Sequence, residues 1–565
     1  MENTTKYMNL VAKFFKGVKT LLCLDKNHDP IKNKDLIANL LDTKTDLKNV
    51  IKETEELFDR YSNKRKQRNP FTASVLSVIK KTTNFLPVQK RNDISWETDL
   101  DENGFVYPIW KNLLDQEYIH LMSKIDRIVN VLDYGAIGDG KTDNTKAFQK
   151  AIGNGRVIVH VPEGIFLTKG IKLPSWTCLI GKGKGITTIK LHPDAPIETR
   201  LVTNANHRKG NHHILVKGMS LDWNIERLGN TERTSAGGHS SSCFTFANVK
   251  YGWVKQVEAI NPGLHCFDVS STRYHYAGDG KRARGRSRYI WLDQLNGYGF
   301  GDDGITTHHS DYVFISNSHM CDPSGRAHPK GISNSNGIEV DDGSRNIWLV
   351  HNSTSRCFGG VEIKAHHNAS AASNIYIIGH LSVHDNRSYN FRHIGHHKIS
   401  DPESKTAYNI KATMMVSIAP IYTDLYQHSS PRGLVVSAYR NVVINHFTLI
   451  GDPDYDYKGN PVIAIQYRAR NIVLNHVSIR NFHTAGADIK IFGGPQRADD
   501  VTIRHSTIRQ SAPLAIQIGA GVQNIHVHHL KAFNPNGKCG LKTVEFPPSI
   551  SNFQAVGYKM PICIK

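Results

Sequence analysis

The feature that most constrains the fold of this chain is a short unit that recurs through its second half. The unit is an alternating run of β-branched and aromatic residues that ends in Asn or His. Its clearest copies begin at Tyr289, Tyr312, Asn346, Asn374, Asn441, Asn471, Asp500 and Asn524. Successive starts lie roughly 23 to 34 residues apart, and one interval of 67 residues (441 minus 374) has room for two or more turns. A period of this length is typical of a solenoid.

A second short strand is predicted between successive copies. It reads CFDVS, GITTH, GIEVD, GVEIK, VIAIQ, DIKIF and AIQIG, beginning at Cys266, Gly304, Gly337, Gly360, Val462, Asp488 and Ala515. Two or three brief strands per repeat suit a parallel β-helix, because each coil must turn sharply and stack its apolar residues inward. A propeller would need four antiparallel strands per blade. The sequence therefore predicts an all-β fold, a right-handed single-stranded parallel β-helix.

The first part of the chain reads differently. Residues 1–125 show helical periodicity, frequent charged residues and few glycines, which predicts an α-helical N-terminal region. We expect a capping segment over residues 126–212 and the main β-helix domain over 213–565. Two runs approach the three-four alternation of a coiled coil, namely Leu36, Leu40, Leu47, Val50, Leu57 and Tyr61, and Leu114, Tyr118, Leu121, Ile125, Ile128 and Leu132. Amphipathic helices packed on their own domain would give the same pattern.

Charge favours an anionic partner. The formal net charge is +20 and the isoelectric point is near 9.4, so long-range attraction would steer nucleic acid, teichoic acid or an acidic capsule. The basic runs Asn63–Arg68 and Lys281–Arg288 are either solvated loops or a rim that guides a polyanion. Nucleic acid is not expected as a partner, because a β-helix presents no element that reads a groove.

Cysteine spacing and the N-terminal residues exclude other classes. The chain has 8 cysteines and no CxxC pair, so we expect buried free thiols and neither a disulfide framework nor a structural zinc site. The stretch Met8–Leu24 is apolar but carries three lysines, Lys13, Lys16 and Lys19, which predicts an amphipathic helix and no secretion signal or membrane partner.

The segment Asn130–Ile152, NVLDYGAIGDGKTDNTKAFQKAI, resembles the opening motif of the pectate-lyase-like superfamily, in which DYGAxGDGxTDDTxAxxxAI precedes a β-helix. Glycines in it allow tight turns, and Thr142 or Asp143 can cap a helix that covers the open end of the solenoid. A helical region followed by this β-helix resembles bacteriophage tailspike and preneck appendage depolymerases. That resemblance implies a homotrimer in the virion, attached to phage tail or neck proteins through the N-terminal region. The last thirty residues resemble neither a chaperone domain nor a jelly roll, and we expect those additions to be missing or very small.

Alternation of side chains places acids on one outer surface of the second strands. The predicted column is Asp268, Thr306, Glu339, Glu362, Ala464, Lys490 and Gln517, and the next is Ser270, His308, Asp341, Lys364 and Gln466. Coils about 4.8 Å apart would bring Glu339 and Glu362 within range of each other. Crowded carboxylates raise one another's pKa, which suits the acid and base of glycoside hydrolysis. A solvated surface or calcium ligation are the alternatives.

The segment Phe300–Ile305, FGDDGI, resembles the GDDCI motif of polygalacturonases and rhamnogalacturonan hydrolases. The resemblance implies that Asp302 or Asp303 is the acid, that a second aspartate activates water, and that Lys364 holds a substrate anion. The NTD triplet is absent, NGIEV replaces the GHG histidine, and Glu362 replaces the arginine of RIK. The predicted catalytic residues are Asp268, Asp302, Asp303, Glu339, Asp341 and Glu362. The predicted substrate contacts are Lys364, His308, His366, Arg326 and His328, with no metal or cofactor.

These patterns favour a depolymerase that hydrolyses an anionic host surface glycopolymer, either a polysaccharide or a wall teichoic-acid-like polymer. Two other enzymatic readings remain open, a polysaccharide lyase and a phosphodiesterase. A non-catalytic adhesin that grips host glycan is the alternative outside the enzymes. Acids outnumber bases at the predicted site, and this favours hydrolysis over elimination.

Overall fold

The computed structural model describes residues 22, 24–43, 46–62, 96–273, 284–366, 369–393 and 406–564. Most of Met8–Leu24, all of Asn63–Arg68 and the first three residues of Lys281–Arg288 lie outside these ranges, so the predictions made for them stand as they were.

The described chain winds into a right-handed parallel β-helix with three sheets, which confirms the predicted fold class. Each strand pairs in parallel with the strand one coil further along. Sheet A contains Arg127–Asn130, Val157–Val161, Thr177–Gly181, Arg288–Asp293, Asp311–Ser316 and Asp499–Arg504. Sheet B contains Asp139–Asp143, Gly164–Thr168, Thr187–Leu191, Asn296–Tyr298, His319–Cys321 and Thr507–Arg509. Long strands bend from sheet A into sheet B, namely Asn211–Asp222, Val249–Ile260, Arg345–Ser355, Ser373–Val383, Tyr408–Ile418, Arg440–Ile450 and Arg470–Arg480.

Sheet C holds the predicted second strands. It contains Ile171–Leu173, Val202–Asn204, Phe244–Ala247, Phe267–Ser270, Ile305–Thr307, Asn336–Val340, Gly359–Ala365, Arg387–His393, Arg432–Ser437, Ile463–Gln466, Ile489–Ile491 and Leu514–Ile518. The last two strands, Ile525–Thr543 and Ser549–Ile564, follow the coil through all three sheets. Outside the solenoid, Thr98–Leu100 and Val106–Pro108 form an antiparallel pair. Short 3-10 helices span Pro30–Lys32, Val131–Tyr134 and Ile225–Leu228.

Asparagines at the start of the sheet A strands explain the sequence repeat. The side-chain amide of Asn374 donates to Asn346 Oδ1 at 3.1 Å, and Asn409, Asn441 and Asn471 each repeat this bond to the preceding coil. All five adopt φ values between 56° and 65°, a left-handed conformation that asparagine tolerates better than most residues. Asn409 belongs to an extra coil in the interval of 67 residues, as predicted.

One hydrophobic core fills the solenoid from Val131 to Tyr558 and crosses the predicted boundary at residue 212 without a break. Its open end is covered by a helix, Thr145–Ile152, which buries Ala147, Phe148, Ala151 and Ile152. The Asp143 carboxylate accepts a hydrogen bond from the Thr145 backbone N–H at 2.9 Å. The opening motif therefore covers the end of the fold, as predicted, although Asn144 and not Thr142 or Asp143 occupies the N-cap position of the helix.

The N-terminal helices lie against the side of the β-helix. The helices α1 (Asn33–Leu40), α2 (Leu47–Ser62) and α3 (Lys111–Ser123) precede the capping helix, α4 (Thr145–Ile152). Together α1 and α2 contact five successive long strands, from Arg345–Ser355 to Arg470–Arg480. Glu53 on α2 accepts hydrogen bonds from Asn445 and Asn475 at 3.1 Å and meets His446 at 3.0 Å.

The structure differs from the predicted coiled-coil seam. Helix α3 ends at Ser123, and Ile128 lies in a β-strand with its side chain exposed. The apolar residues of α1 to α3 bury against the chain's own strands; Leu114, for example, packs in a cluster with Trp253. The apolar face of a helix that packs on a sheet has the same three-four spacing as the contact face of a coiled coil, so the sequence pattern fitted both structures.

The expectation of free thiols was wrong for one pair. Cys539 and Cys563 form a disulfide that joins the last two strands. Within the described ranges Cys178, Cys243, Cys266, Cys321 and Cys357 are buried free thiols, as expected. Of the helices among the described residues, none has both the length and the apolar character that crossing a bilayer requires.

Candidate active site on sheet C

The predicted acidic column forms on sheet C. Register pairs Asp268 with Thr306, Thr306 with Glu339, and Glu339 with Glu362. The column continues through Asn390 and Val435 before it reaches Ala464, Lys490 and Gln517. In the adjacent column, Lys364 is followed by Arg392. Alternation of side chains along short strands thus placed the acids correctly, apart from the two coils that the sequence repeat did not mark.

The column is not the solvent-exposed ribbon that the sequence suggested. The side chain of Asp302 is 15% exposed, whereas none of the other five predicted acids exceeds 3%. A loop over residues 322–335 lies against this column, because its His328 approaches Asp302 at 3.1 Å. The loop is held by a second loop: Ser333 N–H donates to the carbonyl of Leu425 at 2.9 Å, and Ile332 forms a bridge with Tyr426. Strand alternation cannot reveal such a cover, because it arises from loops far apart in sequence.

His265 links three of the acids. Its Nδ1 lies 3.1 Å from Asp268 Oδ2, and its Nε2 lies 3.6 Å from Asp302 Oδ2 and 3.5 Å from Asp303 Oδ2. His328 Nε2 approaches Asp302 Oδ2 at 3.1 Å. His265 was missed by the sequence analysis, although it stands three residues before Asp268 in the same coil. Asp302 thus sits between two imidazoles.

The two adjacent aspartates have opposite pKa shifts. Burial alone would raise the pKa of Asp302, but bonds from His265 and His328 outweigh it and hold the pKa well below its usual range. Burial raises the pKa of Asp303 well above its usual range, and the charges of Asp302 and Glu339 raise it further. Burial opposes charge on His265, yet Asp268 and Asp302 raise its pKa well above normal. The arrangement therefore favours the ionised form of Asp302, the protonated form of Asp303 and the cationic form of His265.

A second group centres on Lys364. Its Nζ lies 2.6 Å from Glu339 Oε1 and 3.6 Å from Asp341 Oδ2. Burial would lower the pKa of Lys364, but Asp341 and Glu339 outweigh it and raise the pKa well above normal. Asn336 joins the two groups, since its side-chain amide donates to Asp303 Oδ1 and to Glu339 Oε1, both at 3.0 Å. Lys364 is consequently a fixed cation next to the aspartate pair.

Glu362 lies one coil away from this network. Arg392 forms a close ion pair with its carboxylate, and the amide of Asn390 donates to it at 2.8 Å. Neither Arg392 nor Asn390 was among the predicted site residues. Because its carboxylate is fully buried and paired with Arg392, a structural role suits Glu362 better than the role of a catalytic acid or base.

Besides Lys364, four residues were predicted as substrate contacts, and their surroundings differ. His328 joins the cluster through Asp302, as described. His308 lies 3.8 Å from Asp341, and burial lowers the pKa of His308 to about 3, so its ring is neutral. His366 Nδ1 lies 3.1 Å from Asp342. Arg326 does not join the cluster, because its guanidinium donates to the carbonyls of Gly229 and Thr231 at 2.9 and 3.1 Å.

Two triads in this region have the donor types of a cation site. One ligand atom each from His265, Asp302 and Asp303 lie within 4.8 Å of one another, and the same holds for His308, Asp341 and Asp342. A divalent cation at the first triad would have to displace the proton that its acids hold on His265. That the site works without a metal stays a prediction.

The comparisons with known proteins agree with this architecture. Residues 128–238 match the family model described as rhamnogalacturonase A/epimerase, pectate lyase-like. The match begins at the opening motif and covers the capping helix and the first coils. The fold and this match define a pectate-lyase-like β-helix protein.

More similar proteins come from Bacillus and its phages. The chain is 48% identical over 506 residues to the phage-related protein YobO of Bacillus subtilis (strain 168), covering 89% of this chain and 62% of that protein. It is 41% identical over 437 residues to the pre-neck appendage protein of Bacillus phage phi29, covering 76% and 50%. The crystal structure of an N-terminal fragment of bacteriophage phi29 gene product 12 aligns with a TM-score of 0.72 and 37% identity, over 80% of this chain and 74% of the fragment.

The chain belongs to the phage preneck appendage family of pectate-lyase-like β-helix proteins. It spans between 50% and 62% of the length of these curated relatives.

Proposed function

We propose that this protein is a phage depolymerase that hydrolyses an anionic glycopolymer of the host cell surface, either a polysaccharide or a wall teichoic-acid-like polymer. The observation that carries the proposal is the aspartate pair. Asp302 and Asp303 have oxygens within 4.8 Å of each other, yet their surroundings lower the pKa of one and raise the pKa of the other. Neighbouring carboxyl groups whose surroundings push their pKa values apart are the pattern by which acid and base roles are assigned.

Each residue has a role in this proposal. Asp303 carries the proton that a leaving oxygen needs, while Asp302, the most exposed acid, accepts a proton from the attacking water. His265 and His328 orient the Asp302 carboxylate. Lys364 supplies fixed positive charge beside the pair. Hydrolysis is favoured over elimination because acids outnumber bases at the site, and the raised pKa of Lys364 removes one candidate for the uncharged base that a lyase needs.

Location follows from the family. A preneck appendage protein is part of the virion, so the site acts at the host surface during infection. We propose a homotrimer that contacts phage tail or neck proteins through the N-terminal region. The net charge of +20 supports an anionic target, since it would raise the rate of encounter with a polyanion.

Mass spectrometry of the products from Bacillus cell-wall fractions tests the activity. The wild-type protein should release oligomers, and D302N and D303N should each lower the rate by about 100-fold or more, as expected for loss of a general acid or base. D133N is the matched control, because Asp133 is exposed and lies in the opening motif. Products with new reducing ends indicate glycosidic hydrolysis, a phosphomonoester indicates phosphodiester cleavage, and ultraviolet-absorbing unsaturated ends would contradict hydrolysis.

An adhesin is the second candidate, and the burial of the acids supports it. Glu339 and Glu362 are each paired with a cation and nearly inaccessible. A protein that binds wall polymer without releasing any product, and binds equally well as D302N, would be an adhesin.

A further inference from the structure

We propose that Arg387 and Arg432 form a binding subsite for an oxyanion, one phosphate or carboxylate of the polymer chain. This inference rests on the proposed function, because it assigns the part of sheet C that would hold the anionic substrate beside the aspartate pair.

The two arginines lie directly after the acidic coils. Arg387 and Arg432 are register partners at the starts of the strands Arg387–His393 and Arg432–Ser437. Arg387 also pairs with Gly359 of the strand that carries Glu362 and Lys364. A polymer that runs along sheet C from Asp302 would therefore reach this pair next.

Within the described part of the chain, neither guanidinium group forms an ion pair. Among the described residues, ion pairs within 4.0 Å join Arg392 to Glu362 and Lys364 to Glu339, whereas none involves Arg387 or Arg432. The Nε atoms of both arginines are buried and make no hydrogen bond within the described structure. An unpaired charge withdrawn from water is unfavourable, so a ligand that neutralises the pair would be strongly favoured.

The electrostatics agree with this geometry. Burial and the neighbouring charge of Arg387 lower the pKa of Arg432 to about 10. Burial and Arg392 likewise lower the pKa of Arg387, against the attraction of Glu362. Two like charges one coil apart repel, and an oxyanion between them would remove that repulsion.

The surroundings suit a sugar-linked oxyanion. Arg387 Cζ lies 5.6 Å from the ring centroid of Phe358, which in turn lies 5.0 Å from the ring of Tyr426. Guanidinium groups bind phosphate and carboxylate through two parallel hydrogen bonds. The ring of Phe358 is buried, whereas the half-buried ring of Tyr426 offers an apolar face to a sugar or glycerol unit. The shared chemistry is an oxyanion on a polyol or sugar repeat.

Binding measurements with three polymers test the subsite. In a D302N background, affinities for poly(glycerol phosphate), polygalacturonate and a neutral glucan are measured by calorimetry at two salt concentrations. We expect R387Q/R432Q to lower the affinity for a phosphate or a carboxylate polymer by about 10- to 100-fold, as loss of charged hydrogen bonds predicts, and to weaken its salt dependence. R509Q removes a charge from the exposed Arg509 on sheet B and should change little.

Thermal melting separates binding from folding. Without polymer, R387Q/R432Q should melt no lower than the D302N parent, because it removes two uncompensated charges. Unchanged polymer affinity in the double variant, or its collapse on heating, overturns the subsite. If wild type binds the anionic polymer through the pair but releases no product, the subsite stands and the hydrolase proposal fails. If the protein cleaves polymer at a rate insensitive to both substitutions, the hydrolase stands and the subsite fails.

Discussion

Replacement of Lys364 by methionine is the most direct test of the buried charge network. Methionine keeps the length and apolar stem of the side chain and removes the ammonium group that lies 2.6 Å from Glu339 and 3.6 Å from Asp341. All three side chains are at least 93% buried. Loss of one partner of a buried ion pair costs about 3–5 kcal/mol, and we expect K364M to lose that much local stability at pH 8.

The loss should depend on pH. In the wild-type protein the folded pKa of Lys364 is above its unfolded value, so its contribution is fully present below about pH 10.4 and constant between pH 5 and 8. Burial already raises the pKa of Glu339 and of Asp341, and without Lys364 both pKa values rise further. The folded variant then binds more protons than the unfolded chain, so its stability falls as pH rises. K364M should be less impaired at pH 5 than at pH 8.

Native-state hydrogen exchange measures the effect where it occurs. Opening free energies of the strands Asn336–Val340 and Gly359–Ala365 should fall in K364M, and K364M/E339Q should recover at least about 1.5 kcal/mol, because directly interacting residues couple by this order. A deficit below about 1 kcal/mol, or one that is equal at pH 5 and 8, would refute the assignment of Lys364 as the balancing charge.

Three further predictions concern other parts of the molecule. Burial raises the pKa of Asp488 to about 8, above its unfolded value of about 3.9, so its contribution to stability falls as pH rises between these two values, and D488N should raise the melting temperature more at pH 8 than at pH 5. E53Q should lower the opening free energy of α2 by about 1–3 kcal/mol, because charged hydrogen bonds are lost, and hydrogen exchange in α2 should become faster. E56Q, at an exposed position, should leave the exchange unchanged. C563S should make hydrogen exchange in the last strand faster, since closing this loop with a disulfide stabilises the folded state by about 3 kcal/mol. Exchange as slow as in the wild-type protein would contradict this.

The fold and the acidic column were predictable from local rules. Inward apolar residues at every second position fix which side chains of a strand face outward, and this placed Thr306, Glu339 and Glu362 in one column. An asparagine in a left-handed conformation can donate a hydrogen bond to the equivalent asparagine one coil away. The repeat in the sequence therefore reflects the row of hydrogen-bonded asparagines from Asn346 to Asn471.

The pairing of the acids was not predictable in the same way. Arg392 and Asn390, which hold Glu362, lie in the long interval where the repeat was not recognised. His265 precedes its strand, where alternation no longer sets direction. The loop over residues 322–335 covers the column through contacts with residues about 90 positions later. The spacing of the repeat predicts which residues are neighbours along a sheet. It does not predict which loop residues pack over that sheet.

Helices α1 and α2 have a mechanical consequence. In a bare solenoid each coil holds only its two neighbours, so tension along the axis would part the weakest interface first. Here one helix pair is fastened across five successive strands, including the polar contacts of Glu53. If the protein binds the host surface as proposed, tension between the virion and that surface would be shared among those coils, and the solenoid would resist rupture there as one unit.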